Sequence, residues 1–147
     1  MSGEATIALR PVRFEDVDAA GLVFFARIIE YTHEAMERFF DGLPARPGGA
    51  TPGYVDLITK RRIGFPAVHV SADFKAPLRY GDVARIATTV TKIGKTSCTF
   101  RYAITRVADG VDVATIEHVV VATNLDTVTK QDLPPDVLAL LRERTGA

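Results

Sequence analysis

An aspartate, Asp18, stands in the stretch Phe14-Glu15-Asp16-Val17-Asp18-Ala19-Ala20-Gly21-Leu22-Val23-Phe24-Phe25, just ahead of a long apolar segment with helical spacing. The start of a helix presents backbone N–H groups that have no intrahelical partner, together with the positive end of the helix dipole. An oxygen that gains negative charge during a reaction is stabilised there. Asp18, a few residues upstream, is placed to attack an electrophilic carbon or to take a proton from water. The competing role is N-capping, in which an Asp before a helix satisfies one orphan N–H for about 1 kcal/mol. Asp16 is assigned such structural work, capping or bracing the loop. Gly21 either lets the backbone bring N–H groups close to a ligand or simply makes a turn.

Positioning these groups falls to one helix and a run of strands. Over 22–43 the apolar residues Phe25, Ile28, Ile29, Met36, Phe39, Phe40 and Leu43 recur at three- and four-residue spacing, and Phe24, Tyr31 and Ala35 widen the stripe, so a largely buried helix is expected. Gly42 and Pro44 stop it, and 46–53 (Arg-Pro-Gly-Gly-Ala-Thr-Pro-Gly) reads as a flexible loop near a site or an interface. Before the helix, 6–14 alternates imperfectly around Pro11, which suits an edge strand. After Pro66, four segments at 67–76, 83–93, 97–107 and 113–124 are rich in Val, Ile, Thr and Phe. Gly81-Asp82, Gly94-Lys95 and Asp109-Gly110 separate them at the tight spacing of antiparallel hairpins. Pro134 and Pro135 open a short C-terminal helix through Arg144. The pattern is α+β, an antiparallel sheet with one long helix to bury, in a single domain over 1–147.

Composition narrows the partners. Forty-seven per cent of the 147 residues are hydrophobic and 24% charged, which excludes general disorder. Eighteen basic and eighteen acidic side chains cancel, so neither nucleic acid nor an anionic membrane is an expected partner. Neither a signal peptide nor an apolar run of the ~20 residues a membrane span needs is visible, and a cytoplasmic location is expected. The lone Cys98 cannot form an internal disulfide and reads as a small buried hydrophobe. His33, on the helix, and His69, on a strand, lie among apolar neighbours where a hydrogen-bonded core histidine is the commoner outcome. His118 reads as structural. The three histidines lack metal-ligand spacing, and neither a nucleophile elbow nor a phosphate-binding glycine loop is present. No metal or cofactor is expected.

The order of elements resembles the hotdog fold, an antiparallel five-stranded sheet wrapped around one long central helix. Asp16-x-Asp18-x-x-Gly21-x-Val23 followed by Phe24-Phe25 resembles the signature of the 4-hydroxybenzoyl-CoA thioesterase family. The likeness continues through His33-Glu34-Ala35 and Pro66-Ala67-Val68-His69-Val70-Ser71-Ala72-Asp73-Phe74-Lys75-Ala76-Pro77 to Tyr80-Gly81-Asp82. Those later stretches look most like the 1,4-dihydroxy-2-naphthoyl-CoA and benzoyl-CoA thioesterases of the family. The resemblance implies hydrolysis of an acyl-CoA thioester, with Asp18 as nucleophile or as general base for water and the backbone N–H of Phe25 polarising the thioester oxygen.

By the same resemblance, Gly21, Phe24, His33, Phe65, Pro66 and His69 contribute to binding the acyl group, and Lys95 and Ser97 lie where CoA contacts are found. Lys60-Arg61-Arg62 is a second candidate for the CoA phosphates, beside the plain alternative of a solvated charge cluster. Coenzyme A is part of the substrate, and no other cofactor is implied. One branch of the family has a Tyr-His pair where this chain has Phe24-Phe25, which favours an aryl over a short aliphatic substrate. Short-chain acyl-CoA hydrolysis and non-catalytic acyl-CoA binding remain alternatives. A hotdog hydratase is the weaker rival, because the Pro and His that should follow Asp82 are missing. Hotdog domains pair into dimers that often form tetramers, so Phe65 and His69 of one subunit are expected to face Asp18 of another.

Overall fold

The computed structural model describes residues 5–44 and 53–145. Five antiparallel strands form the main sheet in the order β1-β4-β5-β6-β3. They are β1 (Thr6–Pro11), β3 (Ala67–Phe74), β4 (Val83–Ile93), β5 (Ser97–Arg106) and β6 (Asp112–Val121). Alternation decides which face is covered. Ala84, Ile86, Thr88 and Val90 of β4, Cys98, Phe100, Tyr102 and Ile104 of β5, and Ile116, His118 and Val120 of β6 all turn inward and are buried. Burial pushes the Cys98 thiol up to about 12, which leaves it protonated and inert at neutral pH.

Against that face lies α1 (Phe25–Phe40). Its buried stripe, Ile28, Tyr31, Thr32, Ala35, Met36, Phe39 and Phe40, follows the 3.6-residue period. Phe39 and Phe40 meet Phe100 edge-on with ring centroids 5.0 and 5.9 Å apart, and Phe40 stacks on Phe65 at 4.8 Å. These aromatic contacts fix the rotation of the helix over the sheet. The opposite side of α1 is charged and exposed, so the helix is amphipathic rather than largely buried.

Several expectations change in detail. The helix begins at Phe25 rather than Leu22, because Leu22 bridges Arg79 and Val23 bridges Val17 in short antiparallel contacts. β3 does not form a hairpin with β4. It pairs instead with β6 at the far edge of the sheet, and the turn at Gly81-Asp82 ends a crossing segment. A two-turn helix, α2 (Gly53–Thr59), and a small sheet of β2 (Ile63–Gly64), β7 (Thr123–Asn124) and β8 (Thr129–Lys130) were not anticipated. The loop expected at 46–53 lies outside the described residues except for Gly53, which opens α2 with φ +72°.

The final helix, α3 (Pro135–Glu143), starts with Pro at its first position and buries Val137, Leu140 and Leu141. Its end is tied to β4 by a hydrogen bond from Val90 N–H to the Arg144 carbonyl. Among the described residues, no helix is long and apolar enough to cross a membrane.

The two sheet edges differ. β1 ends in Pro11, which suits an edge position. β3 is exposed almost throughout and carries Val68, Val70 and Phe74, which are 63%, 41% and 45% exposed. An uncovered edge with apolar side chains is a template for pairing with another strand.

Candidate active site

The loop that carries Asp18 is anchored by Asp16. That carboxylate is buried, and its Oδ2 accepts hydrogen bonds from the Tyr31 hydroxyl at 2.7 Å, the Arg13 backbone N–H at 2.9 Å and Arg10 Nη1 at 3.0 Å. Arg10 also pairs with Glu34 at 2.9 Å and lies over the Tyr31 ring. Burial works against the charge on Asp16, yet its three donors hold the carboxyl below its usual range. Asp16 thus braces the loop against α1 and β1 together.

From this anchor the chain makes a tight excursion. Asp18 N–H donates to the Leu22 carbonyl at 2.8 Å and Gly21 N–H to the Asp18 carbonyl at 2.9 Å, with Gly21 at φ +80°. The turn requires that left-handed conformation, so a turn role accounts for this glycine. Asp18 Oδ1 accepts from the backbone N–H groups of Ala20 at 2.9 Å and Leu22 at 3.3 Å. Its Oδ2 has no hydrogen-bond partner among the described residues. In the single chain the Asp18 side chain is exposed, and it lines neither of the two apolar cavities described below.

Asp18 does not cap α1. The N-cap is Phe24, and among the described residues no side chain bonds to the helix start. Val23 N–H is taken by the Leu78 carbonyl and Phe24 N–H by the Asp16 carbonyl. The open amides therefore begin at Phe25, whose N–H and that of Ala26 have no partner among the described residues. The Phe24 and Phe25 rings are half exposed beside them, with centroids 4.8 Å apart. Phe25 also meets Phe74 at the end of β3, and a cavity of about 320 Å³ opens between them.

A second and larger cavity, about 430 Å³, lies between α1, α2 and the start of β3. It brings together His33, Phe65 and Pro66, three of the residues expected to bind substrate. Phe65 is buried against Phe40. His33 is exposed rather than a core histidine, because it sits on the charged side of α1, where its Nε2 pairs with Glu37 at 3.1 Å. His69 lies on the exposed edge strand and is not part of this cavity. Lys95 and Ser97 close the β4–β5 hairpin, where Gly94 N–H donates to the Ser97 carbonyl at 2.7 Å, and they line neither cavity.

Of the other candidate phosphate cluster, Arg61 is committed to Asp136 through two hydrogen bonds of 2.7 and 2.9 Å, and Arg62 to Asp126 at 3.0 Å. Those pairs fasten α2 to α3 and to the β7–β8 turn. Asp82, the residue behind the hydratase alternative, closes its own turn by accepting the Arg79 N–H at 2.8 Å.

Sequence reasoning missed the inner wall of the larger cavity. His118 is 8% exposed, lines it, and is held through Nδ1 by the Tyr102 hydroxyl at 2.9 Å. Burial, with a lesser contribution from His33, lowers its pKa and keeps the ring neutral. The available signal was its register, because it alternates inward with Ile116 and Val120.

Comparison with known proteins places this architecture. The profile of the thioesterase-like superfamily matches residues 12–141, and the chain belongs to that superfamily. A 1,4-dihydroxy-2-naphthoyl-CoA hydrolase of Nostoc punctiforme is 33% identical over 142 residues, covering 94% of this chain and 90% of the relative. Slr0204, a 1,4-dihydroxy-2-naphthoyl-CoA thioesterase from Synechocystis, superposes with a TM-score of 0.79 at 24% identity, covering 93% of this chain and 95% of that one. The gentisyl-coenzyme A thioesterase BH1999 superposes with a TM-score of 0.77 at 25% identity, over 92% and 99% of the two chains. The fold is accordingly the α+β hotdog type, with a five-stranded antiparallel sheet.

The Asp16 anchor makes a testable prediction. Replacing Tyr31 with Phe removes a donor from a buried charge and should cost about 1.5–3 kcal/mol in urea unfolding at neutral pH. A carboxyl with a depressed folded-state pKa contributes stability above its unfolded value, near 3.8, and loses it as the pH falls through the folded value. The deficit of the variant should therefore narrow below that range. A deficit that is constant from pH 7 to pH 2 would contradict the anchoring role.

Proposed function

We propose that this protein hydrolyses acyl-CoA thioesters, with Asp18 as the reacting carboxylate and the Phe25 N–H as the oxyanion donor. The observation that carries the reading is an uncapped helix start whose first free amide follows a loop presenting an exposed aspartate. A thioester oxygen seated at the Phe25 N–H would have its developing charge met by a fixed dipole that is already unpaired. The Ala20 and Leu22 N–H groups hold Asp18 by Oδ1 and leave Oδ2 to act. Direct attack would release the CoA thiolate and leave a mixed anhydride for water to cleave. As a base, the same oxygen would take the proton from an attacking water.

The acyl group is assigned to the larger cavity. An aryl acid fits it, because about 430 Å³ lined by Met36, Phe65 and Leu125 exceeds the ~150 Å³ that accommodates benzene. The names of the relatives support an aromatic acyl-CoA. Phe24 and Gly21, at the helix start, remain candidates for contacts to the acyl group, and Lys95 and Ser97 for the nucleotide end of CoA. α1 is then the central helix on which the sheet wraps, and a cytoplasmic place of action goes with such a substrate.

A homodimer joins the two halves of this site. Phe74, at the end of β3, packs on Phe25, whereas Phe65 and Pro66 immediately precede β3 and His69 is its third residue, and the strand spans ~23 Å at about 3.3 Å per residue. Antiparallel pairing of β3 with a second copy sets the start of one strand beside the end of the other. That would bring His33, Phe65, Pro66 and His69 of the second copy toward Asp18 and Phe25 of the first. Such dimers are proposed to assemble further into tetramers.

Two measurements follow. Asp18→Asn should lower thiol release from benzoyl-CoA by about 10²–10⁴-fold, and equal release by variant and wild type would leave an acyl-CoA binding protein as the better description. In sedimentation the wild type should run as a dimer or larger, and a monomer under assay conditions would contradict the shared site.

A further inference from the structure

We propose that His118, positioned by Tyr102, is a specificity-determining residue that reads a ring hydroxyl on the acyl group, so that hydroxyaryl-CoA thioesters are preferred over their unsubstituted counterparts. The proposal rests on the reading of the larger cavity as the acyl pocket.

That cavity has few polar side chains, and nearly all are engaged within the chain. His33, at the exposed rim, pairs with Glu37. Thr123 Oγ1 donates to the Val121 carbonyl at 2.9 Å, and the Tyr54 hydroxyl is engaged by the Phe65 backbone. His118 differs. The residue is more than nine-tenths buried, Nδ1 is held by Tyr102 at 2.9 Å, and Nε2 has no partner among the described residues. Among the described residues, the fully buried side-chain atoms without a partner are Asp16 Oδ1 and Thr88 Oγ1, so Nε2 is not sealed inside the protein. An unpaired imidazole nitrogen beside an apolar cavity is left for a ligand or a water to complete.

The placement suits ligand reading. His118 lies mid-strand in β6, opposite Phe100 of β5 and Val70 of β3, on the sheet that floors the cavity, whereas Pro66 and Ala67 form its exposed rim. Phe100 and Tyr102 lie beside its ring, with centroids 6.4 and 5.9 Å away, and restrict its freedom to turn. The Tyr102 phenol is pushed up by burial and remains a donor at neutral pH. In the tautomer this proposal takes, Tyr102 donates to Nδ1 and the neutral imidazole carries its proton on Nε2, free to meet a ligand in the cavity. A phenolic oxygen accepts that hydrogen bond. A plain aryl ring leaves Nε2 unsatisfied, and a site built for a hydroxyl discriminates against the analogue that lacks it.

The test is kcat/KM for benzoyl-CoA and its 2-, 3- and 4-hydroxy derivatives in wild type, His118→Phe, His118→Gln and Tyr102→Phe. In the wild type, at least one hydroxybenzoyl-CoA should be preferred by about tenfold to a hundredfold, the range one hydrogen bond to a buried group supports. His118→Phe should bring that ratio close to one while benzoyl-CoA turnover persists. His118→Gln, which keeps a donor, should retain part of the preference, and Tyr102→Phe should reduce it. A wild type with no preference, a preference that survives His118→Phe, or an equal fall on every substrate would overturn the proposal.

Calorimetric binding of the same CoA esters to Asp18→Asn, with and without His118→Phe, reads the preference without turnover. It also separates the two ideas. Loss of hydroxyl preference in binding supports His118 even if the wild type releases no thiol, and that second result alone removes the hydrolase reading. If His118→Phe does not fold, the His118→Gln and Tyr102→Phe ratios decide, and unchanged ratios in both would overturn the proposal.

Discussion

No helix can satisfy its own first N–H groups, and among the described residues no side chain caps those of α1. The local structure upstream of α1 conforms to that fact. The Leu78 carbonyl takes the amide of Val23 and the Asp16 carbonyl takes that of Phe24, so the first open donor falls on Phe25. Asp16 can hold this arrangement only because Arg10, Arg13 and Tyr31 compensate a buried charge from a strand, a turn and the helix at once. The paired aspartates thus divide the work, one buried as an anchor and one exposed with a free oxygen.

The same constraint explains why so much of the site faces outward in one chain. Phe24, Phe25, Phe74 and Val70 are apolar and exposed, and each lies at the helix start or along β3. In the proposed dimer, an edge strand and a helix end that share uncovered aromatic surface would meet a second copy under two-fold symmetry. In the proposed pairing, the floor and rim of the acyl cavity come from one subunit and the reacting groups from the other. Asp18 would then react at the mouth of a pocket that its own chain does not supply.

Much of the fold was legible because the strand segments are rich in Val, Ile, Thr and Phe and are separated by Gly-containing turns. β4 spans the expected 83–93, and the end strands differ by a few residues where side chains leave the sheet. The start of α1 was misplaced by three residues because Leu22 and Val23 continue the apolar stripe, while their backbones are claimed by Arg79 and Val17. Strand order is non-local, so a turn at Gly81-Asp82 looked like a hairpin although β3 pairs across the sheet. Two-turn α2 follows a Pro- and Gly-rich stretch and has too few residues to show a period. Within the site, the loop around Asp18 was readable from its spacing. His118 was passed over because a single histidine in a strand is ordinarily structural, and only the unpaired Nε2 beside a cavity gives it another use.

The most direct test of the open amide is the backbone N–H resonance of Phe25 in isotopically labelled Asp18→Asn protein, titrated with a non-hydrolysable benzoyl-CoA analogue that keeps the carbonyl. The Phe25 amide proton should shift downfield, saturate with binding and move further than amides along the sheet. A bound analogue that leaves Phe25 unmoved while resonances elsewhere shift would contradict the oxyanion role of that amide.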